Sequence, residues 1–144
     1  NIIVEGADGT LHTNYEGKAQ AAADVLLNEG YDFVYVHVEA PDEMGHQGSV
    51  ERKVQSIEYL DGRVIGPLKE KLSASGEPFR MLIMPDHPTP ICVRTHTSDP
   101  VPYLLYDSSA PGSYSWKYNE REAQKSGKRV DKGYKMIDYL FSGQ

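Results

Sequence analysis

Cysteine is almost missing from this chain. Cys92 stands alone among 144 residues, which excludes an internal disulfide and agrees with a reducing compartment. Its neighbours Ile91 and Val93 mark it as a packing residue rather than a nucleophile. Positive charge is also scarce: 15 Lys and Arg face 21 Asp and Glu, a formal net charge of -6. Affinity for nucleic acid rests largely on clustered Lys and Arg, so that balance argues against a phosphate backbone as partner. No apolar run approaches the roughly 18 to 20 residues that a membrane helix needs, and the first residues lack the basic, apolar, small-residue order of a signal peptide. The expectation is a soluble, cytoplasmic protein with no nucleic acid and no membrane as partner. Repeats and low-complexity tracts are missing too. What remains, 39% hydrophobic and 25% charged residues, suits one globular domain with a core of useful size.

An acidic surplus has a chemical use when carboxylates gather beside imidazoles, because a divalent cation relieves their mutual repulsion. Two stretches have that character: His37-Val38-Glu39-Ala40-Pro41-Asp42-Glu43-Met44-Gly45-His46 and Met81-Leu82-Ile83-Met84-Pro85-Asp86-His87-Pro88-Thr89-Pro90. In each, an apolar or β-branched run stops near Pro and then presents carboxylate and imidazole groups, as a buried parallel strand delivers ligands to a sheet edge.

Around those stretches the pattern alternates helix and strand. Residues 1–4 resemble a strand end, and the Gly6-Ala7-Asp8-Gly9 turn leads to a loop in which Thr13 or Asn14 can cap a helix over about 18–29, closed by Gly30. Residues 31–38, aromatic and β-branched, read as a central strand. Val50, Val54, Ile57, Leu60, Val64, Leu68 and Leu72 recur every three or four residues, predicting one long helix over about 49–72 with Ser49 as N-cap. Gly66-Pro67 interrupts it with a kink or a restart. Strands follow at 79–84 and at 101–106, the latter at an edge because Pro102 cannot donate to a ladder. Residues 107–129 read as loop, with Ser113-Tyr114-Ser115-Trp116 packed against the body, and Tyr134, Ile137, Tyr139, Leu140 and Phe141 as a last short helix. This order predicts an α/β fold, a three-layer sandwich with a mainly parallel sheet.

Three histidines lie just beyond predicted strands, each near a carboxylate: Asp42 with His46, Asp86 with His87, and His96 shortly before Asp99. Spacing of four puts Asp42 and His46 on one side of a helical turn, where they can share one zinc or manganese ion. Asp86 and His87 are adjacent and converge only if the backbone turns sharply, which Pro85 and Pro88 encourage. Taken singly, such pairs more often cap turns than hold metal. Three of them at strand ends in one open α/β sheet point instead to a ligand site, and two ions about 3.5 to 4 Å apart would suit in-line phosphoryl displacement. His37 reads as a hydrogen-bonded interior histidine and His12 as an exposed loop residue. Glu39 is a candidate to orient a ligand from the next layer out. Lys18 and Arg94 are candidates to meet an anionic substrate, with solvated charge as the plain alternative.

At these residues the sequence resembles the cofactor-independent (2,3-bisphosphoglycerate-independent) phosphoglycerate mutases of the archaeal-type branch, members of the alkaline phosphatase superfamily. The resemblance runs from about residue 10 to 106. It is carried by Thr13-Asn14-Tyr15-Glu16-Gly17-Lys18-Ala19, by residues 31–46, by Pro85-Asp86-His87-Pro88-Thr89-Pro90, and by Thr95-His96-Thr97-Ser98-Asp99-Pro100-Val101-Pro102. It implies an alkaline-phosphatase-like catalytic domain in which Asp42, His46 and His96 hold one metal and Asp86 and His87 help hold a second. The metals it implies are two divalent ions, manganese first, with zinc or magnesium as alternatives. The activity it implies moves a phosphoryl group between the 3- and 2-hydroxyls of glycerate through a phosphoserine enzyme, in glycolysis and gluconeogenesis.

The resemblance is partial. No stretch here matches the family's N-terminal strand with its further aspartate, its nucleophilic serine or the arginines of its inserted substrate domain, and Pro85 stands where the family more often has Ala. Ser49, Ser56, Ser73 and Ser75 lie in or beside a predicted helix, so no catalytic nucleophile is assigned. The expectation is therefore that residues 1–144 are the C-terminal part of a catalytic domain, inactive alone, with residues 106–144 a less certain tail. Its partners would be the phosphoglycerate substrate and the rest of the same enzyme, the N-terminal segment and inserted substrate domain. The alternatives are a metal-dependent phosphotransferase acting on another hydroxyl compound such as homoserine, and a non-catalytic fragment that binds metal or a partner.

Overall fold

The computed structural model describes residues 1–112 and 117–143, so the expected packing of residues 113–116 lies outside the described residues. The chain divides into two compact units, Asn1–Glu77 with Thr89–Thr97, and Pro78–Pro88 with the residues from Ser98 onward.

The first unit begins with helix α1, Tyr15–Asn28, whose start is fixed by Asn14: its side-chain oxygen accepts from the backbone N–H of Gly17 at 2.9 Å. This is the cap that the sequence offers, and Gly30 just past the end has a φ of 73°, as a helix stop in the left-handed region requires. Helix α2, Ala40–His46, carries Pro41 in its first turn, where a missing N–H costs nothing. Helix α3, Val50–Leu60, starts on Ser49, whose hydroxyl accepts from Arg52 N–H.

The single long helix expected over 49–72 is three pieces. After α3 the chain widens into a π turn, Asp61–Ile65, and resumes as α4, Gly66–Ser75. Pro67 explains the break, since it has no N–H to return and its ring crowds the carbonyl four residues back. The wider turn takes up the difference, with the Gly66 N–H reaching Asp61 O. The face also differs from expectation: Val64, Leu68 and Leu72 are buried, but Val50, Val54 and Ile57 are exposed.

A core of Tyr15, Ala19, Ala40 and Val64 holds this unit, with Val36, Val38, Tyr59 and Leu60 packed against it. Arg63, from the π turn, lies over the rings of both Tyr15 and Tyr59, at 4.8 and 4.9 Å, and grips Glu16 with two hydrogen bonds. Residues 31–38, expected as a central strand, belong to no ladder among the described residues. Val34, Val36 and Val38 are half-buried while Phe33, Tyr35 and His37 are exposed, the two-residue alternation of a strand with one face covered.

The second unit holds strands β1, Arg80–Ile83, and β2, Leu104–Asp107, paired antiparallel with Met81 opposite Tyr106. Pro102 falls before the ladder, in keeping with its lack of a donor. Arg80 ties three elements together. Its guanidinium pairs with Asp107 at 2.7 Å and donates to the carbonyl of Phe141 at 2.8 Å, near the end of helix α6, Met136–Ser142. Helix α5, Glu120–Lys125, falls in the region expected to be loop. The mix of helices with a β ladder is α/β; the ladder present in the described residues is antiparallel, not the parallel arrangement that the element order suggests.

Candidate metal centre

Three of the five expected ligands converge, and the local folding of each explains why. Asp42 and His46 sit one turn apart on α2, a helix founded on the backbone of Glu39, whose carbonyl accepts from the Asp42 and Glu43 N–H groups at 2.9 and 3.1 Å. His96 comes from the distant Thr89–Thr97 segment of the same unit. Asp42 Oδ2 lies 3.3 Å from His46 Nε2, Asp42 Oδ1 lies 3.3 Å from His96 Nε2, and the two imidazole nitrogens are 3.1 Å apart.

One donor atom from each residue can be chosen so that the three lie within 4.8 Å of one another, a triangle that can hold a small divalent ion. Bonds of about 2.0–2.1 Å place tetrahedral ligand atoms about 3.3–3.4 Å apart, and octahedral neighbours about 2.8–3.0 Å apart. The two imidazole nitrogens, 3.1 Å apart, fall between the two, and each lies 3.3 Å from a different oxygen of Asp42, so the donor atoms favour neither geometry. Two imidazoles and a carboxylate are also a donor set for zinc or manganese. The side chains are 29–51% exposed, open enough for an ion to enter.

His46 is oriented for the task. Its Nδ1 is 3.0 Å from the carbonyl oxygen of Arg94, so Nδ1 carries the proton and Nε2 turns its lone pair toward the triangle, as the outer partner of a metal-binding histidine ordinarily arranges. Arg94 achieves this with its backbone in the left-handed region, φ 57°, uncommon for a residue with a side chain. Its guanidinium lies against Gly48, which has φ 71° and where a Cβ would strike that group.

Asp86 and His87 belong to the second unit, bent at both residues; the His87 N–H donates to Asp86 Oδ1 at 3.0 Å and His87 Nε2 is 3.3 Å from Asp86 Oδ2. Asp99 is in that unit as well, and the carboxylate found beside His96 is that of Asp42, 3.3 Å from its Nε2. Glu39 supports α2 through its backbone, while its carboxylate stands 3.6 Å from His37 Nε2. Lys18 Nζ donates to the His37 carbonyl at 2.6 Å. His37 is exposed and not interior, its Nδ1 3.3 Å from the Tyr35 hydroxyl. The reason is visible in the alternation of residues 31–38, where the odd positions face away from the core. Sequence reasoning missed Thr89 and Lys53. The Thr89 hydroxyl donates to Asp42 Oδ1 and Lys53 Nζ donates to the Thr89 carbonyl at 2.6 Å.

Residues 1–132 match the Metalloenzyme superfamily. The chain is 49% identical over 126 residues to a 2,3-bisphosphoglycerate-independent phosphoglycerate mutase of Methanosarcina acetivorans, covering 88% of this chain and 31% of that protein. Identity is 44% over 142 residues to the protein of the same description from Methanothrix thermoacetophila, covering 99% of this chain and 36% of the other. Among solved structures, the PH0037 protein from Pyrococcus horikoshii matches 96% of this chain and 41% of its own, with a TM-score of 0.75 and 30% identity. The chain thus spans about a third of the length of the curated relatives it matches.

Proposed function

The chain belongs to the Metalloenzyme superfamily, and from that premise we propose that it is the C-terminal, metal-bearing segment of the catalytic domain of a cytoplasmic phosphoglycerate mutase. The observation that carries the reading is the convergence of Asp42, His46 and His96, whose donor atoms lie within 4.8 Å of one another, in a chain up to 49% identical to proteins of that description. The reaction is the interconversion of 3-phosphoglycerate and 2-phosphoglycerate through a phosphoserine enzyme. In the complete protein, an alkaline-phosphatase-like three-layer sandwich would enclose residues 31–38 in a mainly parallel sheet.

In this reading Asp42, His46 and His96 hold one divalent ion, and Asp86 and His87 contribute two protein ligands to a second. Manganese is the leading candidate for both. Bound there, the ions supply Lewis-acid charge for phosphoryl transfer. The chain's own residues do the holding: Asp42 contributes negative charge, the Arg94 carbonyl keeps the proton on Nδ1 of His46, and His96 closes the third side. Lys18 and Arg94 carry the positive charge available for an anionic substrate, while the nucleophilic serine comes from outside this segment.

The test is metal content and turnover. His46→Ala in this chain should abolish tight manganese binding, measured by isothermal titration and by elemental analysis after dialysis. The complete protein containing this segment should convert 3-phosphoglycerate in a coupled assay, and should not phosphorylate homoserine when given a phosphate donor. Unchanged metal content in the variant, or transfer to homoserine alone, would overturn the assignment.

A further inference from the structure

The three proposed ligands come from two places in the chain, and the segment Thr89–Thr97 touches all of them. It supplies His96. It also offers the Arg94 carbonyl to His46 Nδ1 at 3.0 Å and the Thr89 hydroxyl to Asp42 Oδ1. An ionised carboxylate only accepts, so the Thr89 hydroxyl must be the donor. Thr89 is 4% exposed, which shields this bond from competing water.

The anchor beneath Thr89 is specific. Lys53 of α3 donates from Nζ to the Thr89 carbonyl at 2.6 Å, and Gly45 of α2 lets that carbonyl approach the helix. A Cβ added at Gly45 would lie 2.6 Å from the Thr89 oxygen and 2.9 Å from Lys53 Nζ, too close for any real side chain. Gly45 therefore occupies a position that only glycine fills without displacing the lock.

We propose that Thr89, pinned by Lys53 and admitted by Gly45, is a positioning residue for Asp42, and that residues 89–97 thereby set the geometry of all three ligands. The inference rests on the metal reading above. Fixing the Asp42 carboxylate in advance removes its rotamer freedom before the ion arrives and holds Oδ2 toward His46, so the ion meets a formed site. Loss of such outer contacts in metal sites lowers affinity by about 10- to 100-fold.

The experiment compares manganese affinity by isothermal titration in the unaltered chain, Thr89→Val, Thr89→Ser, Lys53→Met and His46→Ala, with metal-free unfolding midpoints recorded in parallel. Thr89→Val keeps the volume and deletes the donor; it should weaken binding at the tight site about 10- to 100-fold, while Thr89→Ser restores it. Lys53→Met should weaken binding in the same direction with the Thr89 hydroxyl intact. A role confined to packing would lower the metal-free midpoint of Thr89→Val yet leave the affinity of the folded protein unchanged, and that result overturns the proposal. Should His46→Ala abolish binding while Thr89→Val binds as the unaltered chain does, the site stands and the positioning role is wrong. Should His46→Ala itself bind normally, both the site and the lock fall.

Discussion

Tyr118 shows how a single hydroxyl can set a pH limit. Its oxygen donates to the Pro102 carbonyl at 3.0 Å and reaches Ile83 O at 3.4 Å, linking the end of β1 to the segment before β2. Burial, with a smaller push from Glu120, raises its pKa from the ordinary 10.0 to about 12. The phenol of the unfolded chain therefore loses its proton first as pH rises, and its contribution to stability, full below about pH 10, is lost progressively as pH climbs through 10 toward 12. Tyr118→Phe should cost about 0.5–1.5 kcal/mol near pH 8 through the lost hydrogen bonding, and should flatten the alkaline fall. Urea midpoints at pH 8 and pH 11 check both parts; equal alkaline slopes in the two proteins would refute the assignment. At acid pH the sign reverses for Glu16 and Asp107, whose carboxyls are held below their ordinary values mainly by hydrogen bonds from Arg63 and Arg80. Their stabilisation exists above the ordinary carboxylate range and fades as pH drops through their lowered values.

Helix α2 and the Thr89 segment make an element-scale prediction in which two effects oppose each other. Gly45→Ala gains about 1 kcal/mol of helix propensity, but its Cβ would meet the Thr89 backbone oxygen at 2.6 Å. Overpacking against backbone costs about 1–3 kcal/mol, so the net change should be destabilising and should carry manganese affinity down with it. A calorimetric unfolding scan with and without the ion checks this, and a more stable variant with unaltered affinity would contradict it. The same elements mark the boundary of what was legible in sequence. Asn14 and Ser49 announced their helices because a cap is a local hydrogen bond. Asp42 and His46 were readable because one turn brings residues four apart together. His96 was flagged beside Asp99 as a strand-end histidine, but its grouping with Asp42 and His46 came from resemblance alone, since nothing local ties it to α2. The Arg94 carbonyl was invisible because a backbone acceptor has no side-chain signature, and the role of the Thr89 hydroxyl was invisible because its partner Asp42 is 47 residues away. Helix α5 escaped because Glu120–Lys125 has no apolar stripe, although Asn119 does cap it, accepting from Glu122 N–H at 2.9 Å. The apolar period of α3 was real, but periodicity says which residues share a face and not whether that face is covered. Val50, Val54 and Ile57 are aligned and exposed. For residues 31–38 the alternation was equally legible, but the central strand expected there joins no ladder among the described residues, because strand pairing depends on neighbours distant in sequence.

At the scale of the whole molecule the two proposed metal-ligand sets are unequal in what they bring. Asp42, His46 and His96 would provide three donors, with His46 held by the Arg94 carbonyl and Asp42 by the Thr89 hydroxyl. Asp86 and His87 provide two, in a bend where the Asp86 carboxylate also accepts from its neighbour's backbone. Affinity in such sites grows with the number of charged and preorganised donors, and binding to ligands that must deprotonate or reorient is weakened accordingly. Titration of the 144-residue chain with manganese should accordingly resolve one tight event, removed by His46→Ala, and a second, weaker event, removed by His87→Ala and independent of the first substitution. Adding the remainder of a full-length relative, which is about three times as long, should tighten the weak event if it contributes a further carboxylate to that ion. Two equally tight events in the isolated chain would mean that Asp86 and His87 complete a site without help, and the division of labour argued from ligand number would be wrong.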